Sequence, residues 1–305
     1  MTQASVYLID LARRCSRVYT EMPAARAAML SGSAAEGESD NYSDIDMMIY
    51  FDELPSDEAL DAARLHNEGS ERIWRVGDRA AGSLMEAYRV CGVEVQIVHV
   101  TVEAWERDMT TVLMEHQVDS PLQKALSGTL YGLPLHGDEW IAKWKMMAAA
   151  YPEALREKMV ARYLNFFPVW AMEERFFSRD ANLWFHQIRV ETLQNLLGVL
   201  AGLNRVYYTT FQFKRTAAFV RQLEMRPSDL ENRLEAALSA PCREAAGLLQ
   251  ELVRETIALV EREMPHVDTG AARRRVDLRV ESWQFANQSA GDRISSSIPA
   301  PITAT

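Results

Sequence analysis

Cysteine is scarce in this chain of 305 residues, which has only Cys15, Cys91 and Cys242. Their odd number and wide spacing exclude a disulfide framework and a cysteine-based zinc site, and they favour a reducing compartment. No apolar run approaches the length of a membrane-spanning helix. The N-terminus also lacks the successive basic, apolar and small-residue regions of a signal peptide. We therefore expect a cytoplasmic protein with no membrane partner.

Basic residues are also in deficit, because 33 Lys and Arg stand against 43 Asp and Glu, which gives a net charge of −10. A general nucleic-acid binder needs a basic surface, so nucleic acid is not the expected partner. The six histidines have no metal-ligand spacing. The length of the chain exceeds one typical domain and suggests two.

Two closely spaced aspartates mark the most informative stretch of the sequence, Leu30 to Phe51. Asp44 and Asp46 are separated by one residue at the start of an apolar run. On a β-strand, side chains two residues apart share a face. Two carboxylates on one face repel each other unless a cation lies between them. Mg²⁺ suits such a site because it takes oxygen ligands and keeps open positions for phosphates.

A glycine-serine pair, Gly32-Ser33, precedes the aspartates and follows a short buried strand predicted at Ala27 to Leu30. Glycine permits a sharp turn there and lets backbone N–H groups approach a phosphate. The Ser33 hydroxyl is a further donor for the same phosphate. The alternative is a surface turn followed by an acidic strand edge.

These residues resemble the signature of a known superfamily. The stretch GSAAEGESDNYSDIDM, with Gly32-Ser33 and then Ser43-Asp44-Ile45-Asp46, is similar to the motif of the DNA polymerase beta-like nucleotidyltransferases. It is closest to their small-molecule branch, which includes the aminoglycoside and lincosamide nucleotidyltransferases. The resemblance is specific over Leu30 to Tyr50 and extends plausibly to Val100.

A hairpin is predicted next, with strands Ser83 to Val90 and Val93 to Val100 joined by a Cys91-Gly92 turn. Glu94 alternates with apolar residues of the second strand and faces away from the core. The resemblance implies a third acid on a strand beside the two aspartates, and Glu94 is our candidate. The alternative is an ordinary exposed strand glutamate, in which case Glu86 on the partner strand is the next candidate.

The predicted fold class is α+β. The resemblance implies an N-terminal nucleotidyltransferase domain at 1–137, with a small mixed sheet flanked by helices. A helical bundle that clamps substrate and nucleotide follows at 138–265, and a tail occupies 266–305. The tail ends in a segment rich in Ser, Ala, Pro and Thr, which we expect to be disordered from Gln288 to Thr305. The clearest helical patterns cover Ser5–Thr20, Asp57–His66 with Ser56 as N-cap, Val102–His116, Glu153–Phe167, Ala181–Leu200, a helix capped by Ser228, and Glu244–Met264.

Further candidates come from the helical part. Relatives of this type often bring a basic side chain to the triphosphate, and Lys214 is our candidate with Arg215 in reserve. The alternative is that Lys214 is an ordinary exposed lysine. Asn204 and Tyr208 are predicted on the same wall of the cleft. A mixed aromatic and acidic group suits a cationic or sugar-like acceptor, although a packed helix with solvated carboxylates is the favoured interpretation for most of its members. The group consists of Trp170, Glu173, Glu174, Asp180, Trp184 and His186.

The resemblance implies a Mg²⁺-dependent enzyme that moves a nucleoside monophosphate, AMP from ATP as first choice, to a hydroxyl of a small-molecule acceptor such as an antibiotic. Pyrophosphate is released. Asp44 and Asp46 would hold one or two Mg²⁺ ions, and Glu94 would complete the metal site or take the acceptor's proton. Two alternatives stay open, namely a protein or tRNA acceptor, as in toxin-like relatives, and a module that binds nucleotide without turnover. Nucleotide binding is assigned to Gly32, Ser33, Ser43 and Lys214.

Overall fold

The computed structural model describes residues 1–211 and 213–281, except for the side chain of Glu173. These residues form a single six-stranded sheet with helices packed around it and extending beyond it. The strands are β1 Ala25–Ser31, β2 Ile45–Phe51, β3 Trp74–Asp78, β4 Ser83–Val90, β5 Val93–Thr101 and β6 Leu133–His136. The helices are α1 Gln3–Thr20, α2 Gly32–Glu36, α3 Asp57–His66, α4 Val102–Leu113, α5 Leu122–Tyr131, α6 Asp138–Ala149, α7 Glu153–Tyr163, α8 Glu173–Phe177, α9 Asn182–Leu203, α10 Thr216–Arg221, α11 Leu230–Ser239, α12 Cys242–Glu263 and α13 Gly270–Val276, with a short 3-10 turn at Val169–Ala171.

The sheet is mixed, with strand order β3-β4-β5-β2-β1-β6. Strands β2 and β5 are parallel, whereas the other neighbouring pairs are antiparallel. The expected α+β class, with a small mixed sheet, flanking helices and further helices towards the C-terminus, is confirmed. Within the described residues, no helix has both the length and the apolar character needed to cross a membrane.

Alternation along β2 divides the two faces of the sheet. Ile45, Met47 and Ile49 are buried in an apolar cluster with α1 and α3. Tyr50 and the partly buried Met48 face the other way and join a larger cluster with α4, α5 and α6. Because successive strand residues point to opposite faces, Asp46 must lie on the same side as Met48 and Tyr50.

The larger apolar cluster continues into the C-terminal helices, where α9 packs between α7 and α12. The second half of α9 is buried almost all round, as expected for a central helix. Gly198 allows close packing, since a Cβ there would lie 2.3 Å from Tyr163 Cγ. The apolar cluster joins residues on both sides of Gly137. The division into units at 1–137, 138–265 and 266–305 stays a prediction.

Several local predictions are confirmed and one is wrong. Helix α3 has the expected bounds, the hairpin β4–β5 has them except that β5 ends one residue later, at Thr101, and the Ser56 side chain caps α3 by accepting from Ala59 N. Ser228 does not cap α11, because that helix begins after Asp229, which has φ 51° and makes no side-chain cap. The basic cluster of Arg273, Arg274 and Arg275 lies in α13. The expected disorder at Gln288–Thr305 lies outside the described residues.

Candidate active site

The three predicted carboxylates lie on one face at the start of the parallel strand pair. In this pair, Ile45 is beside Val95 and Asp46 is beside Gln96. Gln96 Nε2 donates to Asp44 Oδ2 at 2.9 Å and to Glu94 Oε1 at 3.1 Å. Asp44, Asp46 and Glu94 are each half-buried. The structure therefore brings together the acids that the sequence singled out.

Asp46 is the carboxylate whose charge is most opposed by its surroundings. Burial raises its pKa to about 6, and the nearby charge of Asp44, with a smaller contribution from Glu94, acts in the same direction. Lys124 and Lys214 oppose this rise. An acid with a raised pKa is a site where a cation would be stabilised, because the cation offsets the repulsion between the carboxylates.

Gly32 lies directly against Asp46. Its φ of +65° is in the left-handed region, and a Cβ at this position would lie 2.4 Å from Asp46 Oδ2. Strand pairing explains the proximity, because Ser31, the residue before Gly32, lies opposite Asp46 in the antiparallel pair. Glycine is thus required here both by the backbone conformation and by the carboxylate next to it.

Gly32→Ala should displace the Asp46 carboxylate and lower the melting temperature by several degrees, because a buried clash is added to backbone strain of about 1 kcal/mol. Gly92→Ala is the matched control. Gly92 also has positive φ, at +81°, but a Cβ there would meet nothing within 4 Å. Calorimetry of both variants separates the two effects. Equal losses would mean that the contact with Asp46 does not matter.

The serines of the motif shape the loop that leads to Asp44. Ser33 Oγ lies 3.2 Å from Ser39 Oγ. Ser43 Oγ donates to Asp40 Oδ1 at 3.1 Å and accepts from Asp40 N at 3.0 Å. The Tyr42 N–H and the Ser43 hydroxyl hold the pKa of Asp40 below its usual range. A nucleotide-binding role for Ser33 and Ser43 stays a prediction.

Two lysines face the acidic residues, and only one of them was predicted. The charges of Lys124 and Lys214 both act on Asp46, and Lys124 is the larger influence. Removal from water lowers the pKa of Lys124, while Asp46 acts to raise it. Lys124 is in α5, and Gly128 lies one turn further along the same helix. A Cβ added at Gly128 would lie 3.6 Å from the Cβ of Ser31. The same face of α5 therefore carries Lys124 towards the carboxylates.

Arg215, the reserve candidate, pairs with Glu38 at 3.0 Å. This ion pair joins the segment before α10 to the loop that follows α2. Lys214 is exposed, next to this ion pair. The charge of Lys214 acts on Asp46, whereas Arg215 is engaged by Glu38, and the contact of either residue with a triphosphate stays a prediction.

Asn204 and Tyr208 were wrongly assigned to the wall of a cleft. The Asn204 amide donates to the carbonyl oxygens of Leu200 and Met225, at 2.8 and 2.9 Å, and its oxygen accepts from Met225 N. Tyr208 is buried, and its hydroxyl donates to Gln194 O at 2.9 Å. Both side chains hold the helical part together.

Glu86 is wrong as a third acid. It pairs with Ile97 across β4 and β5, so it lies on the face opposite Glu94. There it is buried beside His99 Nε2, at 3.1 Å, and Arg72 Nε, at 2.8 Å. This leaves Glu94 as the strand acid on the side of Asp46.

The aromatic and acidic group of the helical part makes structural contacts. Trp170 is buried and its Nε1 donates to Arg275 O at 3.1 Å. Glu174 forms an ion pair with Arg243, and the Trp184 ring packs 4.6 Å from that of Phe176. These contacts favour the interpretation as packed helices with solvated carboxylates over an acceptor site.

Whether the site can hold a metal ion depends on the donor groups that are present. Among residues 1–211 and 213–281, no group of three or more His, Cys, Asp and Glu side chains is gathered to hold one. Mg²⁺, however, is commonly held by one or two carboxylates together with substrate phosphates and water. Asp44 and Asp46 fit this description, since they share a face and the charge of Asp46 is poorly compensated.

No family model matches the chain, and no curated protein matches it significantly. Among solved structures, a nucleotidyltransferase-like protein from Exiguobacterium sibiricum matches with a TM-score of 0.33 and 13% identity, over 85% of this chain and 80% of that one. A CCA-adding enzyme in complex with CTP matches with a TM-score of 0.28 and 12% identity, over 90% of this chain and 80% of that one. These TM-scores are too low to bear on the function of this chain.

Proposed function

We propose that this protein is a metal-dependent nucleotidyltransferase that moves AMP from ATP to a hydroxyl of a small-molecule acceptor. One observation carries the proposal. Asp44, Asp46 and Glu94 share one face of the parallel pair, and the charges of Lys124 and Lys214 act on Asp46 from outside the sheet. Phosphoryl-group transfer needs carboxylates that hold a cation and, next to them, lysines that bind the phosphates.

Asp44 and Asp46 would hold one or two Mg²⁺ ions together with the phosphates of the nucleotide. Bound there, Mg²⁺ neutralises phosphate charge and makes the α-phosphorus easier to attack. Lys124 and Lys214 bind the β- and γ-phosphates, where their charges offset the charge of the departing group. Because Gly32 carries no side chain, the Asp46 carboxylate can lie directly against the backbone of the glycine-serine turn.

Glu94 takes the proton of the acceptor hydroxyl as general base. The hydroxyl oxygen forms a bond to the α-phosphorus, and the bond from that phosphorus to the oxygen bridging the α- and β-phosphates breaks. Pyrophosphate leaves with the electron pair of the broken bond. The net charge of −10 favours a small, neutral or cationic acceptor over tRNA, because polyanions need basic surfaces. The setting we propose is the cytoplasm.

ATP binding should require a divalent cation, because the triphosphate must approach two carboxylates that repel it. We expect ATP with Mg²⁺ to raise the melting temperature, whereas ATP with EDTA should not. A thermal-shift titration checks this, and Asp46→Asn is the control in which the metal-dependent rise should disappear. Equal stabilisation with and without metal would contradict the proposal.

The acceptor is found by incubating the protein with ATP, Mg²⁺ and a library of hydroxylated amines, including aminoglycosides and lincosamides. A product heavier by one nucleoside monophosphate, detected by mass spectrometry, identifies both the acceptor and the transferred nucleotide. Parallel reactions with the other nucleoside triphosphates test the choice of ATP. Mass shifts on protein or tRNA instead would replace the small-molecule acceptor in the proposal.

A further inference from the structure

Gln96 connects two of the three carboxylates. Its Nε2 donates to Asp44 Oδ2 at 2.9 Å and to Glu94 Oε1 at 3.1 Å. A primary amide nitrogen has two N–H groups, so each carboxylate receives one of them. Within the described residues, neither Asp44 nor Glu94 receives a further side-chain hydrogen bond.

The chemistry of the three groups fixes the orientation of this amide. Ionised carboxylates only accept hydrogen bonds, so the amide nitrogen, and not the amide oxygen, must face them. The nitrogen therefore lies between two like charges. It reduces their repulsion as a cation would, but it adds no charge of its own. Since Gln96 is beside Asp46 in the parallel register, this happens within the proposed cation site.

We infer that Gln96 is a positioning residue that keeps Glu94 out of the ligand set of the divalent cation. The inference rests on the proposed function, in which Asp44 and Asp46 hold that cation. The hydrogen bond from Gln96 occupies Oε1 of Glu94 and holds the carboxylate at the amide. Among the residues that the structure describes, no three metal-binding side chains are gathered together. This arrangement is expected if the amide of Gln96 holds Glu94 away from the cation.

A specific consequence follows for metal binding. Without the amide, Glu94 is no longer held, and a cation at Asp44 and Asp46 attracts it as a third carboxylate. Metal affinity then rises, while the proton acceptor is lost. In the native protein, Gln96 therefore keeps Glu94 available for the acceptor hydroxyl, and the metal ion is bound less tightly as a result.

A double-mutant cycle on metal binding tests the inference. Mn²⁺ alone is titrated into the protein, and the electron paramagnetic resonance signal of the unbound ion gives the dissociation constant. Glu94→Gln should change the Mn²⁺ affinity by less than about twofold, whereas Gln96→Met should bind Mn²⁺ about fivefold more tightly. The double variant should return to the wild-type affinity, because Glu94 provides the added binding.

Matched variants separate this role from a general effect on folding. Gln117 Nε2 donates to Glu115 Oε2 at 2.9 Å in an exposed segment. The two residues have the same spacing in sequence as Gln96 and Glu94. Gln117→Met should therefore leave Mn²⁺ binding unchanged. Gln96→Ala should also bind more tightly than wild type, which covers the case in which Gln96→Met does not fold. A purely structural role would weaken binding in both Gln96 variants, whether or not Glu94 is present.

The outcomes distinguish the inference from the proposed function. If wild type binds Mn²⁺ and Asp46→Asn does not, but Gln96→Met binds no more tightly than wild type, the inference is wrong and the proposed function stands. A loss of more than about fivefold in Glu94→Gln alone would make Glu94 a metal ligand and also overturn the inference. If wild type binds no Mn²⁺ at millimolar concentrations, both are wrong.

Discussion

Asp46→Asn is expected to abolish turnover and also to raise the melting temperature of the protein. The variant loses a charged oxygen that holds the cation and, through it, the phosphates. Charge stabilisation by a bound metal is worth several kcal/mol, so its loss lowers the rate by about 10³-fold or more. Asparagine has nearly the same shape as aspartate, which keeps the fold intact.

The gain in stability follows from the pKa of Asp46. Burial and the charge of Asp44 raise this pKa to about 6, above the value of ~3.9 expected in the unfolded chain. The folded protein thus binds the proton more tightly, and ionisation of Asp46 destabilises it. This destabilisation is absent below pH ~4, grows between pH ~4 and ~6, and is complete above that range, where it is on the order of 3 kcal/mol at most.

Melting temperatures of wild type and Asp46→Asn, measured without metal from pH 4 to 8, check the sign. The variant should melt higher by several degrees at pH 7 to 8, and the gap should close towards pH 4. Asp52→Asn is the control, because Arg26 lowers the pKa of this exposed carboxylate and its loss should bring no gain. A gap independent of pH, or wild-type turnover in metal-replete buffer, would count against the site.

The acidic face could be predicted from the sequence because it depends on local alternation. Asp44 directly precedes β2 and Asp46 is its second residue, and Glu94 stands in β5 between the partly buried Val93 and the buried Val95. The period of a strand fixes which side chains share a face. The parallel pairing of β2 with β5 then brings the two sets together.

Lys124 could not be predicted in the same way, since its position depends on contacts distant in sequence. It lies in α5, a segment interrupted by Gly128 and followed by Gly132 and Pro134, which are signals of a loop. The glycines instead allow close packing, for a Cβ on Gly132 would lie 2.4 Å from Met29 Sδ. A glycine that permits helix-to-strand contact and a glycine that breaks a helix look alike in a single sequence.

Both strands that the sequence did not reveal lie at the edges of the sheet. Strand β6 contains Pro134, and proline is tolerated at an edge because one side of the strand needs no hydrogen-bond partner. Strand β3 has mostly exposed residues and therefore shows no apolar alternation. Tyr208 was predicted on a cleft wall, but it is buried and its hydroxyl donates to the Gln194 carbonyl.

Glu94→Gln is expected to lower kcat by about 10²–10⁴-fold, the usual effect of removing a general base. The variant keeps the size of the side chain but can no longer accept the proton of the acceptor hydroxyl. Because a base acts in the transition state, the affinity for ATP should change little. Since Gln96 holds Glu94 away from the cation, added Mg²⁺ should not restore the rate.

The measurement is kcat and ATP affinity across a Mg²⁺ series, with Glu86→Gln as control. Burial alone would raise the pKa of Glu86, but the hydrogen bonds and charges of His99 and Arg72 outweigh it and hold the pKa below its usual value. Glu86→Gln therefore breaks a buried charged contact and should cost about 3 kcal/mol of stability, with kcat unchanged. Glu94→Gln should do the reverse. Wild-type kcat in Glu94→Gln at every Mg²⁺ concentration would make Glu94 an ordinary strand residue. Asp44 and Asp46 would then act together with a base that the acceptor itself supplies.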